Sequence, residues 1–255
     1  MRLYDWKRSV GDHRDFIAKL STTSLPTLID LRANCSPVEN QGNLGSCTGH
    51  ALAGLIEYLE LQELKKNEDG PEELNGKAFD RASRLFIYYG ERLTEGTAGE
   101  DAGGQLRDGI KMLQQFGVCR EELWPYDESK ALDKPSQDAY DDAAKHKISV
   151  YTRVVGLDSL RAALAQGNPV VFGFTVFEEF ESQAVASTGQ VPMPTHSSKP
   201  VGGHAVLAVG YDDIHRHVIV RNSWGAEWGD KGYFFLPYDY ITNPNLAEDF
   251  WLVRK

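Results

Sequence analysis

The chain holds only three cysteines in 255 residues and no CxxC pair, so a disulfide scaffold and a structural zinc site both lack their ligands. Apolar runs are short. None approaches the ~18 residues of a membrane-spanning helix, and the opening MRLYDWKRSVGDHRDF has no apolar signal-peptide middle. The expectation is a soluble protein without an export signal, cytoplasmic by default. Positive charge is scarce as well: 27 Lys and Arg against 37 Asp and Glu give a formal charge of -10. That balance argues against a basic face for nucleic acid or an anionic membrane and leaves peptide substrates open. Nor is there an internal repeat or a low-complexity tract.

What is present centres on residues 37–50, PVENQGNLGSCTGH. Cys47 follows Gly42 and Gly45 and precedes Ala51, Leu52, Leu55, Ile56 and Leu59, whose spacing is helical. It therefore opens a helix. Unpaired backbone N–H groups and the positive end of the helix dipole favour thiolate over thiol there, so Cys47 is a candidate nucleophile near neutral pH. Gln41, six residues upstream, can turn an amide donor toward the same spot. Cys35 and Cys119 remain as free thiols or as one bridge.

The helix begun at Cys47 is expected to reach about Lys66 and to end through the breakers Asn67, Gly70 and Pro71. Apolar stripes recur at 81–93 and 106–116, and another helix is expected near 137–145. ISVYTRVVG, PVVFGFTV, HAVLAVGY and HVIVRN are then β-branched or aromatic runs bounded by Gly, Asn and Pro. Helix gives way to strand. Residues 182–203, with Ser, Thr and three prolines, read as a long surface loop delivering His204.

Three segments, Gln-Gly-x-x-Gly-Ser-Cys at 41–47, Gly-His-Ala-Val at 203–206 and Asn-Ser-Trp-Gly at 222–225, occur in an order that resembles the papain-like cysteine peptidases. His204 and Asn222 follow Cys47 by 157 and 175 residues, somewhat beyond the ~130–150 usual for papain and cathepsins. The resemblance implies an α+β, papain-like two-domain fold. A helical left domain at 25–130 would carry the nucleophile, a β-barrel-like right domain at 131–255 would carry His204 and Asn222, and the cleft would lie between. It also implies a Cys47 thiolate and His204 imidazolium pair, oriented by Asn222, with Gln41 and the Cys47 N–H as oxyanion donors. Trp224 would shield the Asn–His hydrogen bond. Gly103 and Gly104 would offer backbone bonds to an extended substrate, while Gly202 and Gly203 would leave a wide pocket for a bulky apolar side chain, the second before the cleaved bond. No metal or cofactor is called for.

Departures narrow the resemblance. Leu44 stands where many members have a bridging cysteine, and Thr48 replaces the usual tryptophan after the nucleophile. Asp-Leu-Arg at 30–32 and Asp-Phe-Trp at 249–251 look more like the bacterial branch. His50 would share the helical face of Cys47 and is a rival base, whereas His215 and His217 are expected to face solvent. The same constellation could serve deamidation or transpeptidation, or persist in an inactive binding protein. Residues 1–24 precede the resemblance and form an arm. Leu3, Tyr4, Trp6 and Phe16 give it apolar surface to pack against the body, either partly covering the cleft, as a brake or as a permanent part of one domain, or docked far from Cys47.

Overall fold

The computed structural model describes residues 4–66 and 80–255. The expected breakers at 67–71, and Leu3 of the arm, lie outside the described residues. Elements follow as β1 (Leu28–Asp30), α1 (Cys47–Lys66), α2 (Arg84–Glu95), α3 (Leu106–Gln115), α4 (Gln137–Ala143), β2 (Val150–Arg153), α5 (Leu157–Ala165), β3 (Val170–Phe177), α6 (Gln183–Thr188), β4 (Pro200–Asp212), β5 (His217–Arg221), β6 (Tyr233–Pro237), α7 (Tyr238–Thr242) and β7 (Ala247–Arg254). Among the described residues, helices α1 to α4 precede β2, and the antiparallel sheet has the order β2-β7-β3-β4-β5-β6, with β1 added to β4. This is the α+β, papain-like arrangement.

Side-chain alternation along β4 sends successive residues to opposite faces, and here both faces are buried. Ala205, Leu207 and Val209 join α1 residues Cys47, Leu52, Leu55 and Ile56 in one apolar cluster. Val206, Ala208 and Tyr211 join Phe172, Phe174 and Phe234 in a second. The strand thus divides two cores, which accounts for its unbroken apolar sequence. Two glycines let neighbours approach α1: a Cβ at Gly49 would fall 2.8 Å from Arg84 O, and one at Gly54 3.0 Å from Arg221 Nε.

The structure departs from the sequence expectation in places. Residues 182–203 are not one loop, because Ser182 caps α6 by accepting from Val185 N–H and β4 already begins at Pro200. LDSLRAALA, inside the strand-rich half, forms α5 behind Gly156, whose φ of 81° suits glycine. His217 is only half exposed, packing on Phe235 at 4.8 Å, while His215 is exposed beside Asp212.

Ser83 starts α2: its wholly buried hydroxyl accepts from Phe86 N–H and donates to Trp124 O. Ser83→Ala removes the cap and strands that carbonyl. It is expected to lower the free energy of unfolding by about 1–2 kcal/mol in urea titrations.

Candidate active site

The loop before α1 is stitched to the segment after β5. Gln41 N–H donates to Ser223 O (2.8 Å), Gly225 N–H to Glu39 O (3.1 Å), and Asn40 bridges Trp224. These bonds bring Gln41 beside Asn222. Gln41 is buried; its Oε1 accepts from Ser223 Oγ and its Nε2 donates to Leu44 O at 2.9 Å. An amide nitrogen carries two hydrogens, so one donor is left beyond the Leu44 bond.

His204 lies in β4 opposite Phe174 of β3 and is wholly buried. Its Nε2 meets Asn222 Oδ1 at 2.8 Å, and Ser223 N–H donates to the same oxygen at 2.9 Å. Two donors on one atom fix that atom as oxygen. Since Oδ1 only accepts, Nε2 carries the proton and Nδ1 is the basic nitrogen of the neutral ring. Trp224 stacks on the imidazole, centroids 5.2 Å apart and 25° between planes, which keeps water from the His–Asn bond.

Cys47 opens α1 with no exposed surface. Burial pushes its thiol up to about 12, against hydrogen bonds from the Ala205 and Thr48 N–H groups; the nearby charges of Glu91 and Asp5 push the same way as burial. The amide beside His204 nevertheless reaches the sulfur, so Cys47, His204, Asn222 and Gln41 share one site. Thr48, in place of a tryptophan, donates to the buried carboxyl of Glu91. All three cysteines are free thiols. His50 is not a rival base: its Nδ1 lies 3.0 Å from Ser46 O, its ring packs edge-on to Tyr126, and burial followed by the Arg84 charge pushes its pKa down to about 3.

The cleft is occupied by the arm. Trp6 N–H donates to Gly203 O (3.1 Å), Gly203 N–H to Tyr4 O (3.3 Å), and Lys7 N–H to Gly104 O (3.0 Å). The two glycine pairs thus flank residues 4–7. A Cβ at Gly103, whose φ is 67°, would overlap Asp5 O, and one at Gly202 would fall 2.5 Å from Tyr4 Cβ. Trp6 is buried, but Phe16 is 78% exposed, contrary to its expected packing role. The Phe16 backbone anchors instead, its oxygen accepting from Arg153 N–H at 2.8 Å. Ser9 donates to Asp249 (2.6 Å), and Arg107 binds both Val10 O and the Asp15 carboxylate. Sequence reading missed Arg107, which carries no motif, and although it noted Asp249 in Asp-Phe-Trp it did not assign it the bond to Ser9.

A profile of the papain family of cysteine proteases matches residues 94–250. An uncharacterized peptidase C1-like protein of Acanthamoeba polyphaga mimivirus is 42% identical over 225 residues, 85% of this chain and 69% of that protein. Pro-cathepsin H of Medicago truncatula is 31% identical over 88% of this chain, which spans only 59% of that relative's length. Among solved structures, xylellain, a cysteine protease from Xylella fastidiosa, aligns with a TM-score of 0.88 and 39% identity over 99% of this chain and 96% of its own. Bromelain from Ananas comosus, in complex with the E64 inhibitor, shares the fold at a TM-score of 0.63 and 20% identity, over 90% and 99% of the two chains.

Asp5 is pushed above the usual carboxylate range by burial and by the Asp101 charge, with Lys7 opposing. A carboxyl raised on docking favours docking while protonated, so docking is strongest below the free value of ~3.9 and weakens as pH rises through the docked value. The ratio of Cys47 alkylation rates, a variant lacking residues 1–7 over the full chain, is expected to fall as pH rises above about 4. Asp5→Asn is expected to flatten it. A ratio that rises with pH in the full chain contradicts this reading.

Proposed function

The chain belongs to the papain family of cysteine proteases, and from that membership we propose that it hydrolyses peptide bonds with Cys47 as nucleophile and His204 as proton carrier. Asn222 orients the imidazole, and Gln41 with the Cys47 N–H receives the oxyanion. The observation that carries this reading is the His204–Asn222 bond of 2.8 Å, which assigns the ring proton to Nε2, beside the Ala205 N–H bond to the Cys47 sulfur.

In the reaction, His204 Nδ1 holds the Cys47 proton in a thiolate–imidazolium pair, and the sulfur attacks the carbonyl carbon. Charge then develops on the carbonyl oxygen, where fixed N–H donors act in a water-poor site. Collapse returns the His204 proton to the leaving amine and leaves a thioester. Water, deprotonated by His204, attacks that thioester and regenerates the thiol. The substrate is a peptide or protein in extended form, paired with Gly104 on one side and Gly203 on the other, where residues 4–7 of the arm now lie.

The arm combines both roles expected of it. Residues 9–18 are a fixed part of the body, held by Asp249, Arg107 and Arg153. Residues 4–7 are a brake that substrate must displace. Burying the Trp6 ring stabilises the docked tip by roughly 1.5–3 kcal/mol. The names of the relatives favour hydrolysis over transfer to another acceptor or an inactive binding role.

Cys47→Ala is expected to abolish peptide cleavage with an unchanged circular dichroism spectrum; activity within tenfold of wild type would exclude the assignment. Deleting residues 1–7 is expected to lower KM for a peptide substrate by about tenfold or more, the loss of one buried aromatic ring. An unchanged KM and kcat in the folded variant would eliminate the brake.

A further inference from the structure

Two buried polar atoms behind the His204–Asn222 bond have no hydrogen-bond partner among the described residues: Nε2 of His50 and Nδ2 of Asn222. The bonds that each side chain does make fix what the other end offers. His50 Nδ1 lies 3.0 Å from Ser46 O, which only accepts, so Nδ1 carries the proton of the neutral ring and Nε2 presents a lone pair. Asn222 Oδ1 already accepts from Ser223 N–H and from His204, so Nδ2 presents hydrogens. One atom is an acceptor and the other a donor.

His50 and Asn222 line the same two small cavities between α1 and residues 221–223, together with Arg221 and Ser223. Each cavity gives about 10 Å³ to the centre of a water molecule. That is close to the ~10–15 Å³ that one water needs and too little for a larger ligand. A buried donor or acceptor left unpaired costs more than a made bond gains, and a single water between the two satisfies both. Ser223 Oγ, which donates to Gln41 Oε1, keeps lone pairs as a further acceptor on the cavity wall.

We propose that one water is built into this site, accepting from Asn222 Nδ2 and donating to His50 Nε2, and that His50 is thereby a positioning residue for the His204–Asn222 pair. The proposal rests on the reading of Cys47 and His204 as a peptidase pair and adds a member that acts behind it. Hydrogen bonds in a chain polarise one another, so an amide bonded at its nitrogen presents a stronger acceptor at its oxygen. The bridge therefore tightens the His204 Nε2–H bond to Asn222 Oδ1 and holds the imidazole when it carries its second proton. It also ties that imidazole to the start of α1, because His50 Nδ1 is fastened to the residue before Cys47.

His50→Phe isolates the bridge. It keeps a ring against Tyr126, now 4.8 Å away, and Ser46 O keeps its bond from the main-chain N–H of residue 50 at 3.1 Å. A crystal structure of the full chain is expected to show an ordered water within about 3.2 Å of both His50 Nε2 and Asn222 Nδ2. In His50→Phe, kcat for a peptide substrate is expected to fall about three- to tenfold with KM within about twofold, the effect of one hydrogen bond. The His204 Nε2–H proton resonance is expected to move upfield as its bond to Asn222 weakens. His50→Gln, whose Oε1 supplies an acceptor to the same water, is expected to recover most of kcat. A dry cavity, a water bonded to only one of the two atoms, or a loss of thermal stability with kcat and the resonance unchanged would overturn the proposal. Should His50→Phe fail to fold, His50→Leu takes its place, and the structure of the unaltered chain still decides on the water. A bridging water with the upfield shift, in a protein that cleaves no peptide, would sustain the site and refute the peptidase reading.

Discussion

The guanidinium of Arg221 is the fixed point of the site. It lies within the fold and donates to Ser36 O, Ser36 Oγ (3.2 Å) and Pro37 O (2.6 Å), 184 and more residues away in sequence. Glu57 of α1 lies in the same network, accepting from Ser36 Oγ and from Ala82 N–H. A buried cation tolerates few geometries, because each unpaired N–H would cost more than the bond it makes. Its position is therefore sharply defined. Asn222 is the next residue in the chain and Gln41 lies four residues past Pro37, so both halves of the catalytic loop structure hang from one desolvated charge. Gly54 is what allows α1 to pass that guanidinium.

Much of this architecture was legible in the residues. Apolar spacing after Cys47 gave α1 its extent, Lys66 included, and the run HAVLAVGY announced a strand, whose burial on both faces only the structure shows. Gln-Gly-x-x-Gly-Ser-Cys, Gly-His-Ala and Asn-Ser-Trp named Gln41, Cys47, His204 and Asn222, four side chains that the fold gathers. The segment 157–165 was not legible: its short apolar pattern sits among strands, and a helix of nine residues is told from a strand by what it packs against. The same holds at 182–203, where three prolines suggested a loop although Pro200 tolerates the first position of an edge-to-centre strand.

Electrostatics was the least legible property. Cys47 is wholly buried in the apolar cluster that also holds Trp6, and burial pushes its thiol up, with the Asp5 and Glu91 carboxyls acting in the same direction. No local pattern around Cys47 could reveal that, since Asp5 and Glu91 lie far from it in the chain. Arg107, buried beneath the arm and 5.3 Å from the Trp251 ring, was likewise invisible: it reads as a solvated helix residue until Asp15 and Val10 are brought to it.

The division of the arm into an anchored stretch and a docked tip has a kinetic meaning. Because Ser9, Val10 and Asp15 stay fastened to the body, the tip behaves as a tethered ligand at an effective concentration on the order of millimolar, whatever the amount of protein in solution. Dilution cannot relieve such occupancy. A cut in the chain near Arg8, between tip and anchor, turns a unimolecular equilibrium into a bimolecular one, and the released piece, four residues of which line the cleft, diffuses away. The geometry is that of a one-way fuse, reversible by displacement before the cut and irreversible after it.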